Sequence, residues 1–144
     1  MLVPMKLSSK QITEIAQDLE AGMKVYVNRD TLEVKSILDW ENSFGDSGIW
    51  DEDQKEIDEN WSSFLVIEKM ESWEAFKIME EFADTLVDKE MSNNLFKILG
   101  RKSPFANFKA EVESSPYRQN WYDFRLKKYE DYVREQFDVE DFNI

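Results

Sequence analysis

Six carboxylates stand within nine residues near the middle of the chain, where their oxygens could hold a hard cation. They are Asp51, Glu52, Asp53, Glu56, Asp58 and Glu59. An EF-hand loop binds Ca²⁺ through such oxygens, and it also needs glycine at its sixth position and glutamate at its twelfth. Counted from Asp51, these positions hold Glu56 and Ser62. The motif fails, and a charge run is more often a solvated helix face, so we predict no metal site and no cofactor.

The same carboxylates are interleaved with aromatic residues, and this pattern favours a protein partner. The aromatic residues are Trp40, Phe44, Trp50 and Trp61. Carboxylates can mimic nucleic-acid phosphates or contact a basic protein, and tryptophans often dominate binding energies. The candidate partner-binding residues are Trp50, Asp51, Asp53 and Glu56. The alternative is that the tryptophans lie in the core, as tryptophans beside a hairpin usually do.

A second candidate site lies in the last third of the chain, where basic residues nearly equal acidic ones. The candidate residues for binding a ligand or an anion in a pocket between sheet and helices are Lys109, Trp121, Tyr122 and Arg125. An anion could also bind where two Ser-Pro pairs introduce helices, because helix N-termini present unpaired N–H groups. The alternative is that the basic residues pair with acids of this chain, for example Arg134 with Glu130.

Catalytic chemistry is restricted because the chain has no histidine and no cysteine. Imidazole bases, Ser-His-Asp triads, thiol nucleophiles, disulfides and thiolate metal sites are therefore excluded. A carboxylate hydrolase needs two acids in one cleft, and the nearest pattern is Glu80 with Glu81 or Asp84. Carboxylates at this spacing usually form the polar side of an amphipathic helix. We predict no catalytic residue and favour a protein that is not an enzyme.

The formal charge of −13 is concentrated in one stretch. Residues 1–36 carry equal numbers of acids and bases, whereas residues 37–60 carry nine acids against Lys55 alone. A charge of this sign opposes direct binding to nucleic acid. The N-terminal residues lack the apolar core of a signal peptide, and no run approaches the ~18 apolar residues of a membrane span. We therefore predict a cytoplasmic protein without membrane contact.

Local patterns predict the elements that position these residues. A capping box at Ser8 and Gln11 opens a first helix, and residues 24–28 and 32–37 alternate at period two, which predicts a hairpin. Residues 64–67 predict a third strand. Further helices are predicted at residues 51–60, at 73–87 after Ser72, at 92–99 with Leu95, Phe96 and Leu99 inward and Gly100 past its end, after Ser103-Pro104, and at 116–137 after Ser115.

This order predicts an α+β fold, in which a small antiparallel three-stranded sheet follows an N-terminal helix and precedes a C-terminal set of about four helices. A chain of 144 residues is of ordinary single-domain size. We predict one domain over residues 1–144, with flexible ends at 1–7 and 138–144 and an acidic connection at 38–60.

Three groups of residues resemble an uncharacterised bacterial family, number 158 of the UPF series, and its Bacteroidetes-like members especially. The first is residues 78–82, Ile-Met-Glu-Glu-Phe; the second is Gly100 with Phe105, Phe108 and Lys109; the third is Trp121-Tyr122 with Phe124 and Arg125. The resemblance covers most of the chain and implies the fold, without an activity to carry over. One departure is at residues 31–34, where the family usually reads Thr-Gly-Glu-Val and this chain has Leu32 for the glycine. Because glycine adopts positive φ most easily, we expect this turn to differ.

Two hypotheses on function remain. The first is a cytoplasmic protein-interaction module whose acidic segment, residues 39–59, binds a basic protein. Its sharper form is an immunity or inhibitor protein that mimics nucleic-acid charge. The alternative is an enzyme or a small-ligand module with a pocket near the second candidate site.

Overall fold

The computed structural model describes the backbone of residues 7–38 and 51–139. The chain divides into two compact units, which we call the N-terminal unit (residues 1–69 and 129–144) and the helical unit (residues 70–128). Over the described residues, the N-terminal unit contains α1 (Ser9–Glu20), β1 (Met23–Asn28), β2 (Val34–Leu38), α2 (Asp51–Glu59), a 3₁₀ turn (Trp61–Ser63) and β3 (Phe64–Ile67). The helical unit contains α3 (Ser72–Thr85), α4 (Lys89–Leu99) and α5 (Pro104–Glu113), and α6 (Arg118–Val139) has residues in both units.

The predicted α+β class is confirmed, with its three-stranded antiparallel sheet, its N-terminal helix and its C-terminal set of about four helices. The predicted acidic connection at residues 38–60 is partly visible, because α2 forms within it, while residues 39–50 lie outside the described residues. Of the predicted flexible ends, residues 1–6 and 140–144 also lie outside the described residues, and Leu7 is buried. The number of domains stays a prediction.

Helix α1 forms as its sequence predicts. Ser8 Oγ accepts a hydrogen bond from the Gln11 N–H, and Gln11 Oε1 accepts one from the Ser8 N–H, which satisfies two N–H groups at the start of the helix. The residues of its apolar face, Ile12, Ile15, Ala16 and Leu19, are all buried. On the polar side, the Ser36 hydroxyl of β2 donates to Asp18, so α1 covers one face of the sheet.

The sheet has the order β2-β1-β3, with both neighbouring pairs antiparallel. Val25 pairs with Ser36 and with Ile67, which places these residues on the α1 face. The opposite face carries Ile37 and Phe64, which form a buried cluster with Ile57 of α2. Tyr26 packs at the edge of this cluster. The sheet therefore lies between α1 and α2.

The turn between β1 and β2 contains a left-handed residue that is not a glycine. Leu32 has φ of +62°, a conformation that costs a residue with a Cβ about 1–2 kcal/mol. Asn28 Oδ1 accepts hydrogen bonds from the N–H groups of Asp30 and Thr31, and the Leu32 N–H donates to the Asn28 carbonyl. The Leu32 side chain is only 8% exposed. Its burial offsets the cost of its backbone.

The helical unit has an aromatic core. Phe82 of α3 contacts the rings of Phe108, Trp121 and Phe124 in edge-to-face geometry, at centroid distances of 6.4, 5.2 and 5.4 Å. Phe108 and Trp121 contact each other at 5.0 Å. Such pairs add roughly 0.5–1.5 kcal/mol to the burial of their area. These contacts join α3, α5 and the start of α6.

Two helices begin earlier than predicted. Helix α3 is capped by Glu71 and not by Ser72, because Glu71 is the extended residue and its N–H donates to Glu74 Oε1. Helix α4 begins at Lys89, three residues before the predicted start, because Asp88 accepts a hydrogen bond from the Met91 N–H and serves as its N-cap. The residue that precedes each helix and caps it is thus a carboxylate, and in α3 it takes the place of the serine that we chose.

Three further details of the helices differ from the prediction. Helix α6 begins at Arg118 and not at Pro116, because Ser115 Oγ accepts from the Tyr117 N–H within a turn. Phe96 is 40% exposed rather than inward, while Leu95 and Leu99 are buried as predicted. Gly100 is the C-cap of α4 with φ of −86°, so its left-handed freedom is not used.

Candidate functional site

The acidic helix α2 is fixed to the sheet by one apolar residue. Ile57 is buried against Ile37 and Phe64, whereas the neighbouring Asp58 and Glu59 are exposed. We call the exposed residues Glu56, Asp58, Glu59 and Trp61 the acidic helix surface. Because Ile57 holds the helix by one side, the exposed side chains of Glu56, Asp58 and Glu59 are presented to solvent in a fixed orientation.

A buried lysine provides the second anchor of α2. Lys35 of β2 is 9% exposed, and its Nζ lies 3.0 Å from Glu56 Oε2 and 3.1 Å from Glu33 Oε1. A charge that leaves water needs such partners to offset its desolvation. The pair joins α2 to the strand beneath it. It also gives Glu56 a structural role, because part of its charge is already neutralised.

Trp61 follows α2 directly, in the 3₁₀ turn, and is 74% exposed. A tryptophan buries much of its area in most folded proteins, so an indole exposed to this degree is a natural contact for another molecule. Of the predicted partner-binding residues, Asp51 and Asp53 occupy the first turn of α2 beside Glu56, and Trp50 lies outside the described residues. Trp61, which we did not choose, is thus an exposed tryptophan next to the acidic helix, and the choice of Trp50 stays a prediction.

The second predicted site is divided between the core and the surface. Trp121 is buried by Phe82 and Phe108, as described above. Tyr122 is exposed, and its hydroxyl donates to Glu113 Oε1 at 2.6 Å, which raises the pKa of the tyrosine. Lys109 is exposed and Arg125 is partly buried. The interpretation of these four residues as a ligand site stays a prediction.

Some basic residues of the last third pair with acids of this chain, as the alternative expected, although not with the acid we named for Arg134. Arg134 lies 3.8 Å from Asp131, whereas Glu130 accepts a hydrogen bond from Thr13 Oγ1, so the predicted pair of Arg134 with Glu130 is wrong. Arg101, Lys102 and Lys109 form no ion pair with any residue in ranges 7–38 and 51–139; these cations are solvated.

A cleft that the sequence did not indicate lies within the helical unit. It encloses about 610 Å³ between α4, α5 and the turn that leads to α6. Tyr117 donates its hydroxyl to Asp88 Oδ2 at 2.8 Å, and Asn94 Nδ2 of α4 donates to Glu111 Oε1 of α5 at 2.7 Å. Hydrogen bonds from the Met91 N–H and the Tyr117 hydroxyl lower the pKa of Asp88, and the bond to Asp88 raises the pKa of Tyr117.

The described carboxylates form no group that could hold a metal ion, and Glu81 of the acidic pattern at residues 80–84 is paired. Over the part of the chain that the structure describes, no three acidic side chains converge on a point that could hold a metal ion. Glu81 makes an ion pair with Lys128 at 2.8 Å, so it belongs to the surface of the helical unit. No described helix has the length and the apolar character required to cross a membrane.

Comparison with known proteins gives one match. Neither a curated protein nor a solved structure matches this chain. A family model described as uncharacterised protein family UPF0158 matches residues 3–144, which is nearly the whole sequence and agrees with the resemblance seen at Phe82, Phe108 and Trp121. The chain is therefore a member of the uncharacterised protein family UPF0158.

Proposed function

We propose that this protein is a non-enzymatic interaction module whose acidic helix surface binds a basic protein. The observation that carries the proposal is the position of Trp61, an indole 74% exposed at the end of an acidic helix. Exposed tryptophans surrounded by charges are typical of binding hot spots, because the ring supplies apolar area and the charges select the partner. Ile57 and Lys35 hold the helix in place, so little order has to be gained on binding.

The distribution of charge over the two units also supports the proposal that the acidic helix surface binds a basic protein. The N-terminal unit carries 21 acidic against 8 basic residues, a net of −13, and the helical unit carries 10 of each, a net of zero. The whole formal charge thus belongs to the unit that contains α2. A field concentrated in one unit attracts and orients a basic partner more effectively than the same charge spread evenly.

The sharper form of the proposal is an immunity or inhibitor protein. In this form the carboxylates of α2 occupy the places of phosphates on an enzyme that binds nucleic acid, and Trp61 enters an apolar pocket beside them. We also propose a bacterial, Bacteroidetes-like origin and a cytoplasmic location, for which the sequence patterns are the support. Fractionation of the source cells tests the location, and recovery in the periplasm or the medium would contradict it.

The test is a pull-down from lysate of the source organism with the purified chain, washed at low and high salt and analysed by mass spectrometry. We expect a basic protein that salt releases, since charge-driven contacts weaken with ionic strength. Trp61→Ala should lose this protein, while Trp73→Ala, which changes an exposed tryptophan of α3, should retain it. A partner that binds both variants equally, or that resists salt, would refute the proposal.

A further inference from the structure

The cleft of the helical unit has the volume of a small-molecule site and a lining that is more polar than apolar. Its volume of about 610 Å³ lies within the roughly 300–1,000 Å³ typical of ligand pockets. Met91, Pro116 and Tyr117 supply apolar and aromatic wall, and Asn93 and Asn94 supply amides. The cleft is thus a concave surface with separate apolar and polar parts, as in binding sites for organic molecules.

Two carboxylates of the cleft are held in place by donors. Asp88 accepts from the Met91 N–H through Oδ1 and from the Tyr117 hydroxyl through Oδ2. Glu111 accepts from Asn94 through Oε1. A carboxylate offers about four acceptor positions, so each retains capacity for a further donor. Because Asp88 caps α4, its charge also offsets the positive end of that helix.

The residues that line the cleft carry an excess of negative charge, and their carboxylates lie on more than one helix. Asp88 and Glu90 lie at the start of α4, Glu111 lies on α5, and Lys97 is the one cation among the lining residues. These carboxylates do not converge on a single point, since no group of three acids among the described residues could hold a metal ion. Carboxylates that lie on two helices of one cleft match a ligand with more than one positive group.

We propose that this cleft binds a linear alkyl polyamine. Its ammonium groups donate to Asp88 and Glu111, and its methylene chain lies against Met91 and the ring of Tyr117. An ammonium ion close to an aromatic face gains further electrostatic attraction. Lys97 also lines the cleft and forms no ion pair with a described residue. Its positive charge therefore opposes the binding of ammonium groups there.

The test is isothermal titration calorimetry of the full chain with spermidine, with propylamine and Mg²⁺ as comparison ligands. Asp88→Asn keeps a residue that can cap α4, and Glu111→Gln keeps the acceptor for Asn94, so both remove charge with little change in shape. Each should weaken spermidine binding up to about fivefold, the scale of a partly exposed ion pair. Lys97→Gln should strengthen it by a similar factor. Propylamine, with one ammonium group, should bind more weakly than spermidine.

The matched control is Glu59→Gln, which removes one exposed carboxylate from α2 in the N-terminal unit. It should leave spermidine affinity unchanged. If Glu59→Gln weakens binding as much as the cleft variants do, the attraction is a diffuse effect of the net charge and the proposal is wrong. Absence of spermidine binding, or equal binding by wild type and both cleft variants, would overturn it too. Circular dichroism melting of each variant confirms that the fold is intact.

Discussion

Because Leu32 has a left-handed backbone, we expect glycine at this position to give a more stable protein than alanine does. This is the reverse of the order in a helix. Both Leu32→Gly and Leu32→Ala lose the buried side chain, at a cost of about 2–5 kcal/mol for the alanine variant. Alanine keeps the strain of φ at +62°, whereas glycine removes roughly 1–2 kcal/mol of it. Glycine also lowers the free energy of unfolding by about 0.5–1 kcal/mol, because it gives the unfolded chain more conformational freedom. We therefore expect Leu32→Gly to be the more stable variant, by about 0.75 kcal/mol at the midpoints of these ranges and by about 1.5 kcal/mol at most.

Urea unfolding followed by circular dichroism measures this difference. For a slope of about 1–3 kcal/mol per molar, 1 kcal/mol moves the midpoint by roughly 0.3–1 M. The control is Ala110→Gly on the exposed side of α5, where the backbone is helical and glycine should cost about 1 kcal/mol. A midpoint of Leu32→Ala equal to or above that of Leu32→Gly would show that this residue does not adopt positive φ.

Four further predictions follow: one on an ion pair, one on the aromatic core and two on pH. Lys35→Met should lower the free energy of unfolding by about 1–2 kcal/mol in urea titrations. This is less than the roughly 3–5 kcal/mol of a fully buried pair, since Glu33 and Glu56 are half exposed and can rehydrate. An unchanged midpoint would mean that Lys35 does not anchor α2. Phe82→Ala should cost about 3–5 kcal/mol and Phe96→Ala at most ~0.5 kcal/mol, and similar thermal shifts for both would contradict the assignment of the core. The lowered pKa of Asp88 means that its contribution to stability is present above its ordinary pKa and is lost as the pH falls through the folded-state value, so Asp88→Asn should reduce the acid sensitivity of the melting temperature. The raised pKa of Tyr117 has the opposite sign, with stability lost as the pH rises through the folded-state value, and an alkaline melting series on Tyr117→Phe that matches wild type would refute it.

The elements with strong periodicity could be predicted from the sequence. Helix α1 and strand β3 form over nearly the predicted residues, since the apolar residues of α1 repeat at the period of a helix and those of β3 form a short continuous run typical of a strand. The hidden helix α2 was also predicted, because a loop of that length is rare. Helix starts were less predictable, because Glu71 and Asp88 compete with nearby serines as caps and their relative positions depend on the packed helices.

The candidate sites depend more on tertiary structure than the elements do. Trp61 and Trp121 both have charged and apolar neighbours in the sequence. Only packing places Trp61 at the surface and Trp121 in the core. The cleft joins Asp88 to Tyr117 across 29 positions and Asn94 to Glu111 across 17. Separations of this kind leave no local spacing in the sequence by which such a site is recognised.

The sequence alone determined the α+β class, the position of the acidic helix and the exclusion of histidine and cysteine chemistry, since these follow from local periodicity and from composition. Tertiary structure decided that Lys35 is buried between two carboxylates, that Leu32 takes up a left-handed backbone and that a cleft forms between α4 and α5. Each of these depends on the free energy of side chains from distant parts of the chain, and that energy exists only once the elements have packed.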